Sequence, residues 1–339
     1  MRPRILKIDP LNVDLELMKQ AAEVISNRGL VAFPTETVYG LGANALDPKA
    51  VSGIFEAKKR PLDDPLIVHI AELKTIEELV TKVPEEARWL MDKFWPGPLT
   101  VVLEKKEIVP DIVTTGLDTV AIRMPSNSIA KKLIELSGVP IAAPSANLFG
   151  RPSPTTAEHV VDDLNGRIDL VLDGGKTDIG IESTVVECAE NKVIVLRPGG
   201  ISLEDLKVVV KDKLIVREER SSDRSPGKYP QHYSPEAQVV VVERSGAQTE
   251  EVRALYSQKG TGNLKVGIMT SQEHLSFYKG LHAKVLGPEN DGRVSASRLF
   301  HIFREFDKEK FDVIIVEAIP EKGLGLAVMN RIRKAAGSI

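Results

Sequence analysis

Polar side chains that could hold a small ligand follow an apolar run near the start of the chain. Leu30–Phe33 has the composition of a buried strand, and Thr35, Glu36, Thr37 and Tyr39 are crowded into the turn behind it. A plain turn does not need so many side-chain donors and acceptors, and open α/β sheets bind their ligands at strand ends. Taken alone, the stretch fits a polar ligand site and a hydroxyl-rich capping turn about equally well.

Cationic side chains occupy similar positions further along. The predicted helix Pro48–Lys59 contains Lys58, is followed by Arg60 and leads directly into another strand. A lysine and an arginine together suit a polyphosphate, although cations at a helix end more often only complement the helix dipole in solvent. Arg123 stands where the pattern of its strand requires an apolar residue. Because burying a guanidinium is costly unless an anion meets it, we expect a ligand contact there in preference to a structural salt bridge.

The remaining candidates also lie at or near predicted strand ends. They are the cations Arg151 and Arg197 and the hydroxyl and amide residues Ser145, Asn147, Ser153, Ser183 and Thr184. The sequence contains no Walker phosphate loop, no Ser-His-Asp order, no paired acid dyad and no metal-ligand cluster. A cationic, hydroxyl-rich site without a nucleophile suits nucleotidyl transfer, in which the enzyme positions the reactants and neutralises phosphate charge.

The elements that position these residues indicate an α/β protein, and its 339 residues favour two domains. Residues 1–212 contain every candidate site residue named so far. Residues 237–339 alternate strands with helices, which predicts a smaller domain with a mainly parallel sheet. Residues 213–236 are predicted to form a linker. Its aromatic residues Tyr229, His232 and Tyr233 are unusual in a pure spacer and suit a lid over a bound ligand.

Composition narrows the class of protein further. Lys plus Arg number 45 against 48 Asp plus Glu, a net charge of −3, so the chain as a whole offers no argument for nucleic-acid binding. Cys188 is the only cysteine, which excludes an intrachain disulfide and a cysteine-based zinc site. No apolar run approaches the length of a membrane span, and no apolar signal core follows Met1. We therefore expect a cytoplasmic protein with no membrane partner.

Six motifs resemble the L-threonylcarbamoyladenylate synthases, the YrdC-type family, in their two-domain form. In chain order they are Pro34-Thr35-Glu36-Thr37-Val38-Tyr39-Gly40-Leu41, Lys58-Lys59-Arg60, Pro144-Ser145-Ala146-Asn147, Glu182-Ser183-Thr184-Val185, Arg197-Pro198-Gly199, and a block from Ser225-Pro226-Gly227 to His232-Tyr233-Ser234-Pro235. The resemblance spans the whole chain. It implies an N-terminal YrdC-like domain with a twisted, open, mixed sheet and flanking helices, followed by a smaller Rossmann-like α/β domain.

The resemblance also implies a reaction. L-Threonine and bicarbonate would form N-carboxythreonine, which attacks the α-phosphate of ATP to give threonylcarbamoyl-AMP and pyrophosphate. Mg²⁺ would accompany the ATP phosphates rather than bind protein ligands. The product would pass to a tRNA threonylcarbamoyl transferase complex, for the threonylcarbamoyladenosine modification of tRNA, and weak direct binding of tRNA would be compatible with that role.

Roles for individual residues follow from the same resemblance. Catalysis would rest on Lys58, Arg60, Ser145 and Asn147. Threonine would be held by Thr35, Thr37, Tyr39, His69, Arg123, Ala143, Ser183 and Thr184. ATP would be held by Lys58, Arg60, Asp64, Thr119, Ser145, Asn147, Ser153, Arg197 and Tyr233. Read from its strand alone, His69 is more often a structural residue than a catalytic one.

Two other hypotheses remain. One is a related enzyme that forms a carbamoyl adenylate, since similar domains occur in hydrogenase maturation proteins. A single cysteine and no acylphosphatase or zinc-finger extension argue against it. The other is a non-enzymatic module that binds double-stranded RNA. Two tryptophans, five tyrosines and a net charge of −3 support that hypothesis poorly.

Overall fold

The structure, a computed structural model, describes residues 2–189, 191–216, 229 and 232–337. The chain divides into two compact units. The first comprises Met1–Phe149, Ser153–Asp178 and Glu182–Lys228, and the second comprises Gly150–Pro152, Ile179–Ile181 and Tyr229–Ile339. Much of the predicted linker 213–236 lies outside the described residues, so its limits stay a prediction.

The first unit is built on a single sheet. Its strands are β1 (Arg4–Lys7), β2 (Val31–Phe33), β3 (Gly40–Asn44), β4 (Ile67–His69), β5 (Leu99–Glu104), β6 (Thr119–Arg123), β7 (Ile141–Ala142), β8 (Leu170–Asp173), β9 (Thr184–Ala189), β10 (Lys192–Arg197) and β11 (Leu214–Val216). In the described part of the chain they lie in the order β1-β8-β2-β3-β7-β4-β6-β5-β9-β10-β11. Strand β6 pairs in parallel with β4 and antiparallel with β5. The predicted open, mixed sheet is confirmed.

Helices cover both faces of this sheet. They are α1 (Leu15–Ser26), α2 (Pro48–Lys58), α3 (Ile76–Leu79), α4 (Glu85–Phe94), α5 (Asp111–Thr114), α6 (Ser128–Ser137), α7 (Ala157–Leu164) and α8 (Leu203–Val210), with 3₁₀ turns at Leu73–Thr75 and Lys211–Lys213. Helices α1 and α6 contribute Met18, Ile25 and Leu133 to one apolar cluster. Helices α2 and α4 contribute Ile54 and Leu90 to the larger cluster. The unit therefore has two hydrophobic layers with the sheet between them.

Local sequence explains where α2 begins and ends. Asp47 is its N-cap and accepts a hydrogen bond from the Lys49 amide, and Pro48 follows at the first helical position. The helix ends at Lys58 because Lys59 adopts a left-handed backbone conformation. This helix is confirmed to within one residue of its predicted C-terminal end, and it places the Lys-x-Arg motif where the chain leaves the helix.

Strand β3 is absent from the sequence prediction. Its sequence, Gly-Leu-Gly-Ala-Asn, has no β-branched or aromatic residue, so intrinsic preference does not identify it. It forms because β2 turns back through Pro34 and pairs with it antiparallel, Phe33 opposite Gly40. Residues 34–39 therefore form a hairpin connection between two adjacent interior strands of the sheet.

The second unit contains a parallel sheet, as the alternating pattern predicts. Its strands β12 (Gln238–Val242), β13 (Val266–Ser271), β14 (Ala283–Gly287) and β15 (Val313–Glu317) are accompanied by helices α9 (Gln248–Gly260), α10 (Gly292–Lys308) and α11 (Gly325–Ala336) and a 3₁₀ turn at Leu275–Tyr278. The strand order is β12-β15-β13-β14, and every pairing in it is parallel.

None of the helices within residues 2–189, 191–216 and 232–337 has the length and apolar character that crossing a membrane requires.

The packing of β13 against α10 gives a test of the second unit's core. A Cβ added at Gly267 would lie 2.3 Å from the Phe306 ring, whereas one added at Gly246 meets nothing within 4 Å. We expect Gly267→Ala to lower the free energy of unfolding by about 1–3 kcal/mol through overpacking. Gly246→Ala is the matched control and should leave it unchanged. Equal thermal unfolding midpoints for the two variants would contradict this account of the core.

Candidate active site

Most of the predicted site residues lie on or directly beside neighbouring strands at the centre of the large sheet. His69 ends β4 and Arg123 ends β6, and the two residues are direct neighbours in the parallel ladder. On the other side of Arg123, its antiparallel partner is Thr100 of β5. Cross-strand partners point to the same face of a sheet, so His69, Arg123 and Thr100 form one polar row across three strands. We call these three residues the central row.

The turn that joins β2 to β3 is closed by Thr35. Its hydroxyl donates to the Val38 carbonyl over 2.7 Å and accepts from the amides of Thr37 and Val38. This is the capping role that the sequence left open. Thr37 and Glu36 are different, because their side chains reach out of the turn toward Arg123.

Arg123 is 3% exposed and is held by three partners. Its Nη2 donates to Glu36 Oε1 over 2.7 Å, its Nη1 to the Thr37 hydroxyl over 2.9 Å, and its Nε to the Gly97 carbonyl over 3.3 Å. The structural salt bridge, which we expected less than a ligand contact, is therefore present between Arg123 and Glu36. A guanidinium has five N–H donors, so two remain beyond these three contacts among the described residues, one on each terminal nitrogen.

His69 is neutral in this environment. Burial and the neighbouring Arg123 cation lower its pKa from 6.5 to about 3. Its ring lies edge-on to Phe33, and its Nδ1 is a buried atom with no hydrogen-bond partner among the described residues. A buried polar atom without a partner is costly, so His69 is a candidate to contact a polar ligand group.

Lys58 connects the Lys-x-Arg motif to the Ser-x-Asn motif. It is 1% exposed, and its Nζ donates to the backbone carbonyls of both Ser145 and Asn147. Its own carbonyl accepts from the Phe149 amide over 2.9 Å. Burial, followed by the nearby Arg60 cation, holds the pKa of Lys58 well below its usual value. The lysine thus fixes the backbone of the turn that carries Ser145 and Asn147.

Arg60 is likewise directed into the protein. Its Nη2 pairs with Asp64 Oδ2 at 2.9 Å, and the same guanidinium donates to the carbonyls of Asp64 and Pro65. Both cations of the motif are buried. The alternative prediction, that Lys58 and Arg60 only complement the helix dipole in solvent, is therefore wrong.

Ser183 and Arg197 form a second polar group that joins the central row. The Ser183 hydroxyl lies 2.7 Å from the Thr100 hydroxyl, and Arg197 Nη2 donates to the Ser183 carbonyl over 3.0 Å and to its hydroxyl over 3.2 Å. A Cβ on Gly199 would lie 2.4 Å from the Glu182 carbonyl oxygen. Glycine is therefore required where the turn after β10 passes the Ser183 backbone.

Two hydroxyl residues predicted to hold threonine, Thr184 and Tyr39, have contacts with the backbone. Thr184 Oγ1 donates to the Ile201 carbonyl and accepts from the Ile201 amide. The Tyr39 hydroxyl donates to the Gly175 carbonyl over 2.6 Å, and burial raises its pKa. These contacts help to place the turns around the site, and the threonine contacts of both residues stay a prediction.

The other predicted residues are placed as follows. Ser153 donates to Glu182, and Asn147 Nδ2 donates to the Leu148 carbonyl. Ala143 is buried beside β7 with its amide bonded to Ile67, and Thr119 is half-buried at the start of β6. Tyr233 and Arg151 belong to the second unit, where Tyr233 stacks on Phe300 at 5.6 Å and Arg151 pairs with Glu236 at 3.2 Å.

Three residues that contact the predicted site residues were not assigned a role from the sequence. Glu36 carries the ion pair of Arg123, Thr100 joins Arg123's strand to Ser183, and Glu182 accepts from Ser153. Thr100 has the signal that identified Arg123, a polar residue inside an apolar strand. Glu36 has no such signal, since its partner lies 87 residues away in the chain.

Two cavities in the first unit lie elsewhere. One of about 290 Å³ is lined by residues of Ile70–Glu78 and Ile134–Pro140, and one of about 420 Å³ by residues of Glu104–Asp118. No residue of the central row lines either cavity. Among the described residues, no group of three or more His, Cys, Asp or Glu side chains could hold a metal ion.

Comparison with known proteins identifies the family. The Sua5-YciO-YrdC model, described as telomere recombination, matches residues 23–199, and the threonylcarbamoyl-AMP synthase C-terminal domain model matches residues 201–337. The chain therefore belongs to the Sua5-YciO-YrdC family, in a form that also carries the Sua5 C-terminal domain.

Individual relatives agree. The chain is 48% identical to the threonylcarbamoyl-AMP synthase of Pyrococcus abyssi, over 94% of this chain and 93% of the relative. It is 45% identical to that of Bacillus subtilis, over 97% and 95%. The crystal structure of P. abyssi Sua5 complexed with L-threonine aligns with a TM-score of 0.92 at 46% identity, covering 98% of each chain. The structure of Escherichia coli YciO aligns with a TM-score of 0.52 at 26% identity, over 58% of this chain and 96% of its own.

The low pKa of His69 leads to a measurable prediction. The ring resonances of His69, assigned by comparison with His69→Gln, should not shift between pH 8 and pH 5 in the folded protein. In the unfolded chain His69 takes up a proton near pH 6.5. Between pH 6.5 and pH 3 only the unfolded state gains that proton. The free energy of unfolding should therefore fall by up to about 1.4 kcal/mol for each pH unit of acidification across this range. A titration of the folded protein centred near pH 6.5 would contradict the assignment.

Proposed function

We propose that this protein is an L-threonylcarbamoyladenylate synthase that uses L-threonine, bicarbonate and ATP. The observation that carries the proposal is 48% identity over 94% of the chain to a threonylcarbamoyl-AMP synthase, combined with the polar central row of His69, Arg123 and Thr100. The P. abyssi Sua5 structure is a complex with L-threonine, which supports threonine as the amino-acid substrate here.

The proposed chemistry balances without a protein nucleophile. The threonine amine takes up the carbon of bicarbonate and releases water, giving the carbamate N-carboxythreonine. A carbamate oxygen then forms a bond to the α-phosphorus of ATP, and the bond from that phosphorus to the pyrophosphate oxygen breaks. The protein's part is to hold three reactants in line and to neutralise phosphate charge.

Arg123 is the proposed anchor of the threonine carboxylate. Two of its donors, one on each terminal nitrogen, are not used by the described residues, which is the number that a bidentate carboxylate requires. His69 lies next to Arg123 in the central row, and Ser183 lies on the other side, where its hydroxyl contacts that of Thr100. The buried Nδ1 of His69 suits a polar group of the amino acid.

The nucleotide is proposed to lie against the Lys-x-Arg and Ser-x-Asn motifs. Lys58 has three ammonium donors, of which two hold the Ser145 and Asn147 carbonyls. The third is the one we assign to phosphate. Arg197 and Ser153 would complete the phosphate contacts, while Asp64 would act through its pairing with Arg60. Thr119 and Tyr233 are retained as nucleotide contacts on the resemblance alone, with Tyr233 as the proposed lid.

The wider setting is also part of the proposal. Mg²⁺ would arrive with the ATP phosphates. The product would go to a tRNA threonylcarbamoyl transferase complex in the cytoplasm. Weak binding of tRNA by this chain belongs to the same proposal.

Pyrophosphate release tests the function. The full chain is mixed with ATP and Mg²⁺, and L-threonine and bicarbonate are added singly and together. Release that requires both supports the synthase. Release without threonine, when an ammonium salt supplies the nitrogen beside bicarbonate, supports a different carbamoyl-adenylate reaction. No release under any combination, together with salt-dependent RNA binding, would favour the non-enzymatic RNA module.

Arg123→Lys should weaken threonine binding far more than ATP binding. Lysine keeps the charge beside Glu36 but loses the planar fork, and alanine would instead leave a buried carboxylate unpaired. Losing one of the two charge-assisted hydrogen bonds to the carboxylate costs about 1.5–3 kcal/mol, or roughly 10- to 150-fold in the threonine dissociation constant. Calorimetric titration with each ligand measures both constants on one sample. Equal weakening for the two ligands would contradict the anchor role.

Lys58→Ala should lower turnover by at least about tenfold, because it removes charge where pyrophosphate leaves and releases the Ser145–Asn147 turn. The matched control is Lys59→Asn, since Lys59 is an exposed neighbour whose φ of 53° suits asparagine. Steady-state rates with saturating ATP and threonine measure the effect. Unchanged turnover in Lys58→Ala, or an equal loss in the control, would count against the assignment.

A further inference from the structure

Glu36 has contacts that the turn containing it does not need. Thr35 closes that turn by itself, through three hydrogen bonds to its own backbone. Both oxygens of Glu36 are directed instead to the end of β6 and the chain just after it. Oε1 accepts from Arg123 Nη2 over 2.7 Å, and Oε2 accepts from the Ser126 amide over 3.2 Å. The carboxylate is therefore placed to serve Arg123.

This pairing fixes the guanidinium without consuming it. Glu36 and Thr37 each take one donor, from different terminal nitrogens, and Gly97 takes the Nε donor. These three hydrogen bonds hold the plane of the guanidinium in one orientation. A carboxylate has about four lone-pair sites, and two of those on Glu36 are used by the described residues. It can still accept from a cationic group brought by a ligand.

The charges of Arg123 and Glu36 determine which ligand their site would favour. Arg123 and Glu36 have side chains that are 4% and 7% exposed, so together they form a buried pair with no net charge. A zwitterionic amino acid adds one negative and one positive charge and leaves the sum at zero. A carboxylate of the same shape without an ammonium group adds an uncompensated buried negative charge, which is costly.

We propose that Glu36 is a specificity-determining residue that makes the Arg123 site accept a zwitterionic α-amino acid and reject the corresponding hydroxy acid. The inference rests on the proposed function, in that Arg123 is taken to hold the carboxylate of threonine. Glu36 acts in two ways: it orients Arg123, and its charge compensates the guanidinium so that the ligand must bring its own cation.

The test compares L-threonine with 2,3-dihydroxybutanoate, in which a hydroxyl replaces the ammonium group. Calorimetric titration gives both dissociation constants for the full chain, and their ratio measures the selectivity. We expect the unaltered chain to favour threonine by at least about 100-fold and Glu36→Gln to reduce that ratio at least about tenfold. Glu36→Asp keeps the charge and should retain most of the ratio.

Glu86→Gln is the matched control. Glu86 is also buried in an ion pair, with Lys213 at 2.6 Å, and its side chain is 6% exposed. Neutralising it removes one buried negative charge from the same unit without touching Arg123, so the selectivity ratio should not change. A ratio that is unchanged in Glu36→Gln, with both affinities reduced alike, would mean that Glu36 is only structural and would overturn the proposal.

Failure of the inference and failure of the proposed function can be told apart. If Arg123→Lys leaves threonine binding intact, the anchor assignment itself is wrong. If Arg123→Lys weakens threonine binding but Glu36→Gln keeps the selectivity, only the role of Glu36 is wrong. Should Glu36→Gln not fold, equal affinities of the unaltered chain for the two ligands would overturn the proposal without any variant.

Discussion

The cost of burying the charge of Arg123 governs the arrangement of the centre of the sheet. A guanidinium inside a protein is tolerated only with a partner, and here the partner is Glu36 at 2.7 Å. Meeting that requirement brings the turn after β2 against the end of β6. Burial lowers the pKa of the neighbouring His69, and the Arg123 cation adds to that effect. One ion pair thus organises the turn and the orientation of the guanidinium.

A second set of contacts organises the nucleotide side by the same physical rule. Lys58 and Arg60 are buried, and each is satisfied mainly by backbone carbonyls at the turns that follow β7 and α2. Cations that look like free phosphate ligands in the sequence therefore also hold the turns in place. Substitution of either one is expected to disturb geometry as well as charge, which is why a control at the adjacent Lys59 is informative.

Sequence reasoning succeeded where the signal is local and failed where it is not. Helix α2 and the parallel sheet of the second unit follow from short patterns, and both are confirmed. Strand β3 has no local preference for a strand and is formed by its pairing with β2. The Glu36–Arg123 pair spans 87 residues, and the contact of the Thr184 hydroxyl with the Ile201 backbone has no local sequence signal either. Residue types at a strand end identify candidates, but only the folded chain shows which of them are already engaged.

The most direct measurement of the central claim is a crystal structure of this chain with L-threonine bound. The account predicts the threonine carboxylate on both terminal nitrogens of Arg123, with the Glu36–Arg123 pair retained and the threonine ammonium on the side of the Glu36 carboxylate. Threonine bound away from Arg123, or bound there with Glu36 displaced from the guanidinium, would contradict it.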